Sequence, residues 1–135
     1  MSAMSNYWED AHVAFLNGTA MTPPANLYVA LFTTATDDAS GGTEVTGGSY
    51  ARAAIAASPG SWAATSGGNG VTSNVSAVTF TTSTASWGTV THFGIYDAST
   101  SGNRLLHGAL SSSISVGSSG ITVTLAAGAL QVTFA

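Results

Sequence analysis

Cysteine and lysine are both missing from this chain of 135 residues, and its only cations are Arg52 and Arg104. Without cysteine there is neither a disulfide framework nor a thiolate metal site, so the sequence carries no mark of a redox compartment. Two cations do not make the basic patch that counterion release from nucleic acid requires, nor one that would hold an anionic membrane surface. Six acids set the formal net charge at −4, so neither nucleic acid nor membrane is expected as a partner. Charged residues are only 6% of the chain, against roughly 25% in an average soluble domain. Few ions then have to be stripped of water when such a surface is covered. That economy suits a protein packed against other proteins.

Long apolar runs are missing too. The longest, residues 27–32, falls far short of the roughly 20 residues that span a bilayer as a helix. The opening MSAMSNYWED has no basic region followed by an apolar one, so it does not read as a signal peptide, and folding in the cytoplasm is expected. What the chain does have is 44% hydrophobic residues and sixteen glycines against three prolines. This is enough apolar material for one core, and a single domain of this length buries about 68% of its unfolded surface.

The first expected element is a short helix. Asn6 is placed to cap it, with Glu9 three residues on as the capping-box partner, and Asn17-Gly18 supplies the stop. Trp8, Ala11, His12, Phe15 and Leu16 fall at i, i+3, i+4, i+7 and i+8, forming one apolar stripe. The stripe either docks on the protein's own sheet or packs on a neighbouring subunit. Residues 1–25 thus read as a helical arm and linker, and residues 26–135 as a β domain.

Residues 27–33 are apolar on both faces, as in a central strand covered on two sides. A polar loop, 34–48, holds three of the six acids, Asp37, Asp38 and Glu44. Short strands follow at 49–56, 76–82 (Val78 and Phe80 inward), 89–97, 104–110 and 112–116. Two more come at Ile121, Val123 and Leu125 and at Leu130, Val132 and Phe134. Breaks fall at Pro59-Gly60, Ser66-Gly-Gly-Asn-Gly70 and Gly117-Ser-Ser-Gly120. Segments 89–97 and 104–110 form a hairpin. About eight turn-punctuated strands make an all-β, antiparallel β-sandwich or jelly-roll-like domain with one short N-terminal helix. Charges or proline normally guard strand edges against pairing. They are scarce here, so assembly is one way to cover those edges.

Catalytic chemistry is thinly represented. No Gly-x-Ser-x-Gly elbow occurs. His92 and Asp97 lie on one expected strand with opposite parity, which turns them to opposite faces. His92 and His107, facing across the hairpin, make at most half a metal site. The loop carboxylates lack the Asp-x-Asp-x-Asp-Gly order of a calcium loop, though oxygen ligation of calcium stays open. The glycine pairs read as turns, since no lysine is present to reach a phosphate. Asn17-Gly-Thr19 and Asn74-Val-Ser76 match a glycosylation acceptor without the secretory context it needs. Trp62, Trp87, Tyr50 and Tyr96 either fill the core or offer stacking faces to a sugar. No catalytic residue, metal or cofactor is expected. The candidate interaction residues are Trp8, His12 and Phe15 on the stripe, together with Arg52 and Arg104.

Four blocks of sequence carry a resemblance. They are Asn26-Leu-Tyr-Val-Ala-Leu-Phe-Thr-Thr34 with Gly42-Thr-Glu-Val-Thr-Gly-Gly-Ser-Tyr-Ala-Arg52, the stretch from Phe80 through Trp87 to Asp97, Leu105-Leu-His-Gly-Ala-Leu110, and Gly128-Ala-Leu-Gln-Val-Thr-Phe134. In order and wording these resemble a family of small virion proteins of tailed bacteriophages, whose members are called tail fibre or structural proteins. The resemblance implies a virion component and brings no catalytic residues. With no shaft, heptads or repeat, the expected role is a capsid decoration (cement) protein on the outside of the head. Its partners would be the major capsid protein and copies of itself, as a homotrimer. The alternative is a tail fibre or tail-tip protein that binds a host surface glycan.

Overall fold

The structure is a computed structural model and describes residues 2–65 and 67–134. Met1, Ala135 and Ser66, the first residue of the expected turn 66–70, lie outside the described residues. In chain order the elements are β1 (Ser2–Met4), α1 (Asn6–Leu16), β2 (Asn26–Phe32), β3 (Ala53–Ala56), β4 (Val71–Ser73), β5 (Val78–Thr79), β6 (Gly88–Tyr96), β7 (Arg104–Val116), β8 (Thr124–Leu125) and β9 (Gln131–Thr133). The class is the expected one: all-β and sandwich-like, with one helix.

Five strands form an antiparallel sheet in the order β1-β7-β6-β2-β3. The second layer is not a continuous sheet but two short ladders, β4 with β9 and β5 with β8. Between the layers lie Val29, Leu31, Val90, Ile95, Val116, Leu130 and Val132, all buried. Val78 and Phe80 point inward as expected. Asn74 staples the second layer from inside. Its amide donates to the carbonyls of Ser76 (2.8 Å) and Ala126 (2.9 Å), and its oxygen accepts from Leu130 N (2.9 Å).

β2 is buried on both faces from Val29 to Phe32. Val29 and Leu31 pair beside Ile95 and Phe93 on the core side, while Ala30 and Phe32 pair beside Gly94 and His92 on the outer side. The outer side is covered by the 33–48 loop, which returns to the sheet through a bridge between Phe32 and Glu44.

Three departures from expectation have physical causes. The strand expected at 49–56 begins only at Ala53, because Gly47, Gly48 and Ser49 all take positive φ (72°, 53° and 61°) and turn the chain. Segments 104–110 and 112–116 are one strand, β7, whose pairing with β6 jumps from Val90–Ile114 to His92–Ala109. Residues 110–113 bulge opposite Thr91, and such a bulge bends a strand as it rounds the sandwich. Finally, β1 supplies an edge strand that no periodicity announces, pairing Ala3 with His107.

Candidate functional site

Two surfaces stand out: the polar cluster beneath the 33–48 loop, and the flank carrying α1.

Beneath the loop, each cation is consumed inside the chain. Arg52 grips Glu44 with both oxygens, Nε to Oε1 and Nη2 to Oε2 at 2.8 Å each. Its Nη1 donates to the carbonyls of Ala98 (3.0 Å) and Ser101 (2.8 Å), which fixes the β6–β7 turn. The guanidinium also lies 3.6 Å from the centre of the Tyr96 ring, a desolvated cation–π contact. Tyr50 donates to Glu44 (3.1 Å) and accepts from Leu31 N (2.9 Å). Burial pushes its phenol well above the ordinary tyrosine range, with the Glu44 carboxylate adding to the shift. Tyr96 is likewise raised by burial, against the pull of the two arginines.

Arg104 is buried nearby and donates to the carbonyls of Gly41 (2.9 Å) and Ala39 (3.0 Å), with Asp37 at 3.7 Å. Asp37 itself accepts from the backbone of Gly41 and Ala39, and these bonds hold its carboxyl below the usual value. His107 is buried, donating from Nε2 to Asp38 (3.0 Å), which leaves Nδ1 to accept from the Thr36 hydroxyl (3.0 Å). This Thr36–His107–Asp38 chain joins residues about 70 apart in sequence and left no local signal. It clamps the loop to β7, and Asp38 also accepts Asn6 N at the start of α1. The three loop carboxylates therefore diverge to three different cations or rings. Among the described residues no group of three His, Asp or Glu side chains is placed to hold a metal ion.

His92 and His107 do not face each other across the hairpin. His92 pairs with Ala109 and His107 with Gly94, in the register that follows from the β6–β7 turn and the irregularity between Ile95–Leu106 and Tyr96–Arg104. His92 Nδ1 instead meets the Thr91 hydroxyl at 2.8 Å. Asp97 is occupied at the turn, accepting from Asn103 N (2.7 Å) and Nδ2 (2.8 Å).

The aromatic residues considered as a sugar platform are mostly used for packing. Trp87 is buried and donates to the Gly48 carbonyl at 3.0 Å. A Cβ at Gly48 would lie 2.8 Å from that indole nitrogen, so only glycine fits. Tyr50 stands edge-on to Trp87 and stacks on Phe80, and one face of Tyr96 is covered by Arg52. Trp62 is half-buried against the core.

On the other flank, the expected helix is present but its cap is Ser5, not Asn6. The Ser5 oxygen accepts from Trp8 N (3.2 Å) while its hydroxyl donates to the Arg104 carbonyl, tying the helix start to β7. Asn6 instead gives its backbone N–H to the loop. At the other end, Gly18 (φ 86°) and Thr19 N–H to Ala14 O (3.0 Å) close the helix in a Schellman-type stop. Of the stripe, Trp8, Ala11 and His12 are half-buried, with Trp8 edge-on to His12 at 5.1 Å. His12 donates from Nδ1 to the Trp8 carbonyl (2.7 Å). Phe15 and Leu16 stand in solvent, 58% and 83% exposed, and Tyr7 and Val13 are exposed as well. No residue of α1 is fully buried.

Between α1, the 19–25 linker and the sheet edge opens a cleft of about 440 Å³, walled almost wholly by carbon. Trp8, Trp62, Leu27, Ile95, Leu106 and Val132 line it. The indole N–H groups of Trp8 and Trp62 are both buried without an acceptor.

A family model described as "Podophage GP4 fiber I protein gp80" matches residues 3–133. The chain belongs to that family. It is a structural protein of the bacteriophage virion, as its blocks of sequence implied. Among curated proteins none matches it. No helix is long and apolar enough to cross a membrane among the described residues.

Proposed function

We propose that this chain is a non-enzymatic, fibre-type structural subunit of a tailed-phage virion, held in place by protein–protein contacts made through its α1 flank. The observation that carries the reading is the pairing of a fibre-family match over residues 3–133 with an exposed apolar helix. Contiguous exposed apolar surface marks interaction sites in soluble proteins. Trp8, His12 and Phe15 belong to that contact surface. Arg52 and Arg104 act on it indirectly, through the loop carbonyls and carboxylates that the Arg52 guanidinium and the Arg104 Nη groups hold within the chain.

Decoration of the head is the second reading. A compact sandwich without heptads or an internal repeat favours it, because elongated fibres are typically built on shafts or repeats. In that case the partners are the major capsid protein and further copies of this chain, as a trimer. Glycan recognition at a fibre tip draws less support, because Trp87, Tyr50 and Tyr96 are engaged in packing.

Copy number per purified virion, by quantitative mass spectrometry against the major shell protein, separates these roles. A handful of copies is expected for a fibre subunit. Copies comparable to the shell protein overturn the fibre assignment in favour of decoration, and absence from the particle overturns both.

A further inference from the structure

We propose that Asn69, in the exposed segment before β4, is a site of spontaneous covalent modification: its side chain closes on Gly70 to a succinimide, which water opens to aspartate and isoaspartate. The reaction concerns the chain alone, so it stands or falls apart from where on the virion the protein sits.

The chain holds two Asn-Gly pairs, Asn17-Gly18 and Asn69-Gly70. Glycine suits the second position because it has no side chain to shield its nitrogen and its backbone turns freely. The Gly70 nitrogen gives its proton to hydroxide and attacks Asn69 Cγ. The side-chain amide then leaves as ammonia, taking a proton from water, so one C–N bond replaces another. Water next adds to either carbonyl of the ring and breaks that carbonyl's bond to the Gly70 nitrogen. Opening at Cγ leaves aspartate, and opening at the main-chain carbonyl leaves isoaspartate, in which the chain runs through the side chain. Water and hydroxide are the co-reactants, and both surround an exposed loop.

Both asparagines are exposed, but their peptide units are held differently. Asn69 Oδ1 accepts from Val71 N at 3.2 Å, an Asx turn that folds the side-chain carbonyl back over the Gly70 peptide unit. The same N–H faces the oxygen on which charge builds as the ring closes, where a donor favours the reaction. Among the described residues the Gly70 N–H has no acceptor, so its attack gives up no hydrogen bond. At the other pair, Gly18 N donates to the Phe15 carbonyl at 3.0 Å, and Asn17 N is held by the Val13 and Ala14 carbonyls. Attack there has to undo the helix stop first. The structure therefore selects Asn69 and protects Asn17.

The consequence falls on β9. Phe134 N donates to the Gly70 carbonyl at 2.8 Å, next to the Val71–Thr133 pair. Isoaspartate inserts one extra main-chain carbon just before that bond. Phe134 is part of the cleft wall, so the chain end on that wall loosens as Asn69 converts.

The test incubates the purified chain in warm, mildly alkaline buffer and follows each asparagine by peptide mapping with mass spectrometry, separating the aspartate and isoaspartate products. In the folded chain Asn69 is expected to convert roughly 10-fold faster than Asn17, the effect in rate of one hydrogen bond that must first be broken. In urea, with helix stop and turn both gone, the two pairs are expected to react at similar rates. Asn69→Asp supplies the charge without the extra carbon, and the Phe134 amide is expected to exchange faster in the converted chain than in that variant. Asn69 left unconverted, Asn17 converting as fast as Asn69 in the folded chain, or the same preference for Asn69 in urea overturns the proposal. Phe134 exchange no faster in the converted chain than in Asn69→Asp overturns the effect on β9.

Discussion

Glu44, Tyr50 and Arg52 under the 33–48 loop, and Tyr7, Phe15 and Leu16 on α1, belong to one small chain yet meet water on opposite terms. Under the loop, a bidentate ion pair, a cation–π contact and two carbonyl acceptors satisfy Arg52 and Glu44 internally. Along α1, large apolar side chains stand in solvent with no residue fully buried. An isolated protein would gain by the reverse arrangement, with ions outside to hold water and carbon inside. Withdrawing the scarce charges into loop clamps leaves the surface cheap to desolvate, and the helix presents the carbon that gains most from being covered. The contrast is what a subunit of an assembly needs: rigid loops that do not depend on partners, and one flank that does.

The comparison breaks most severely at Arg52. Replacing it with Met strips Glu44 of its cation, uncovers the Tyr96 ring and frees the β6–β7 turn. A broken, largely buried ion pair costs about 3 kcal/mol, and chemical denaturation should show a loss of that size. A change below about 0.5 kcal/mol, the level of an ordinary surface substitution, would mean that the clamp does not hold the loop. Ser5→Ala comes next. It removes both the helix cap and the bond to the Arg104 carbonyl, and a cap alone is worth about 1 kcal/mol. Hydrogen exchange in α1 should accelerate more than in the sheet. Exchange rising equally everywhere would show that helix and sheet open as one unit.

Acid titration sharpens the loop side more gently. The Asp37 carboxyl is held below its ordinary value of 3.8 by backbone N–H groups, Gly41 first. Its contribution is therefore present above pH 3.8 and lost as pH falls through the lower, folded value. Thermal melts of Asp37→Asn should lose less stability than the parent over that acid range. Parallel curves would assign the acid limb to other carboxylates. The smallest effect on stability is expected on the helix flank: Leu16→Ser should stay within about 0.5 kcal/mol of the parent while weakening attachment to the particle. A large loss of stability there would show that Leu16 packs within its own domain.

Periodicity made much of the fold legible. Residues 27–33 read as a strand covered on two sides, and residues 29–32 are buried on both, because the 33–48 loop roofs the outer face of Phe32. Val78, Phe80, Leu130 and Val132 alternate inward as their spacing requires, while Phe134 of the same set is exposed; segments 89–97 and 104–110 form the expected hairpin, though not in the register that would face His92 with His107. What escaped was set by tertiary contact. Ser2–Met4 has no pattern of its own, and its strand state comes from the free edge of β7 at Leu106–Gly108. Ser5 and Asn6 are both competent caps, and Ser5 prevails because its hydroxyl also reaches the Arg104 carbonyl. The stripe on α1 was visible, but not that its second half, Phe15 and Leu16, stands in solvent. The meeting of Thr36, Asp38 and His107 depends on a loop folding back across some seventy residues, which no local spacing encodes. The family followed from the wording of the sequence, and the orphaned indoles from the three-dimensional structure alone.

The most direct test of the central claim, that the chain is held in the virion by its α1 flank, is hydroxyl-radical footprinting of intact particles against the purified chain. Strong protection of Tyr7, Phe15 and Leu16 in the particle, with Val75 on the second layer labelled as before, is the predicted result. Unchanged labelling of the α1 residues in the particle, with Val75 protected instead, would contradict it.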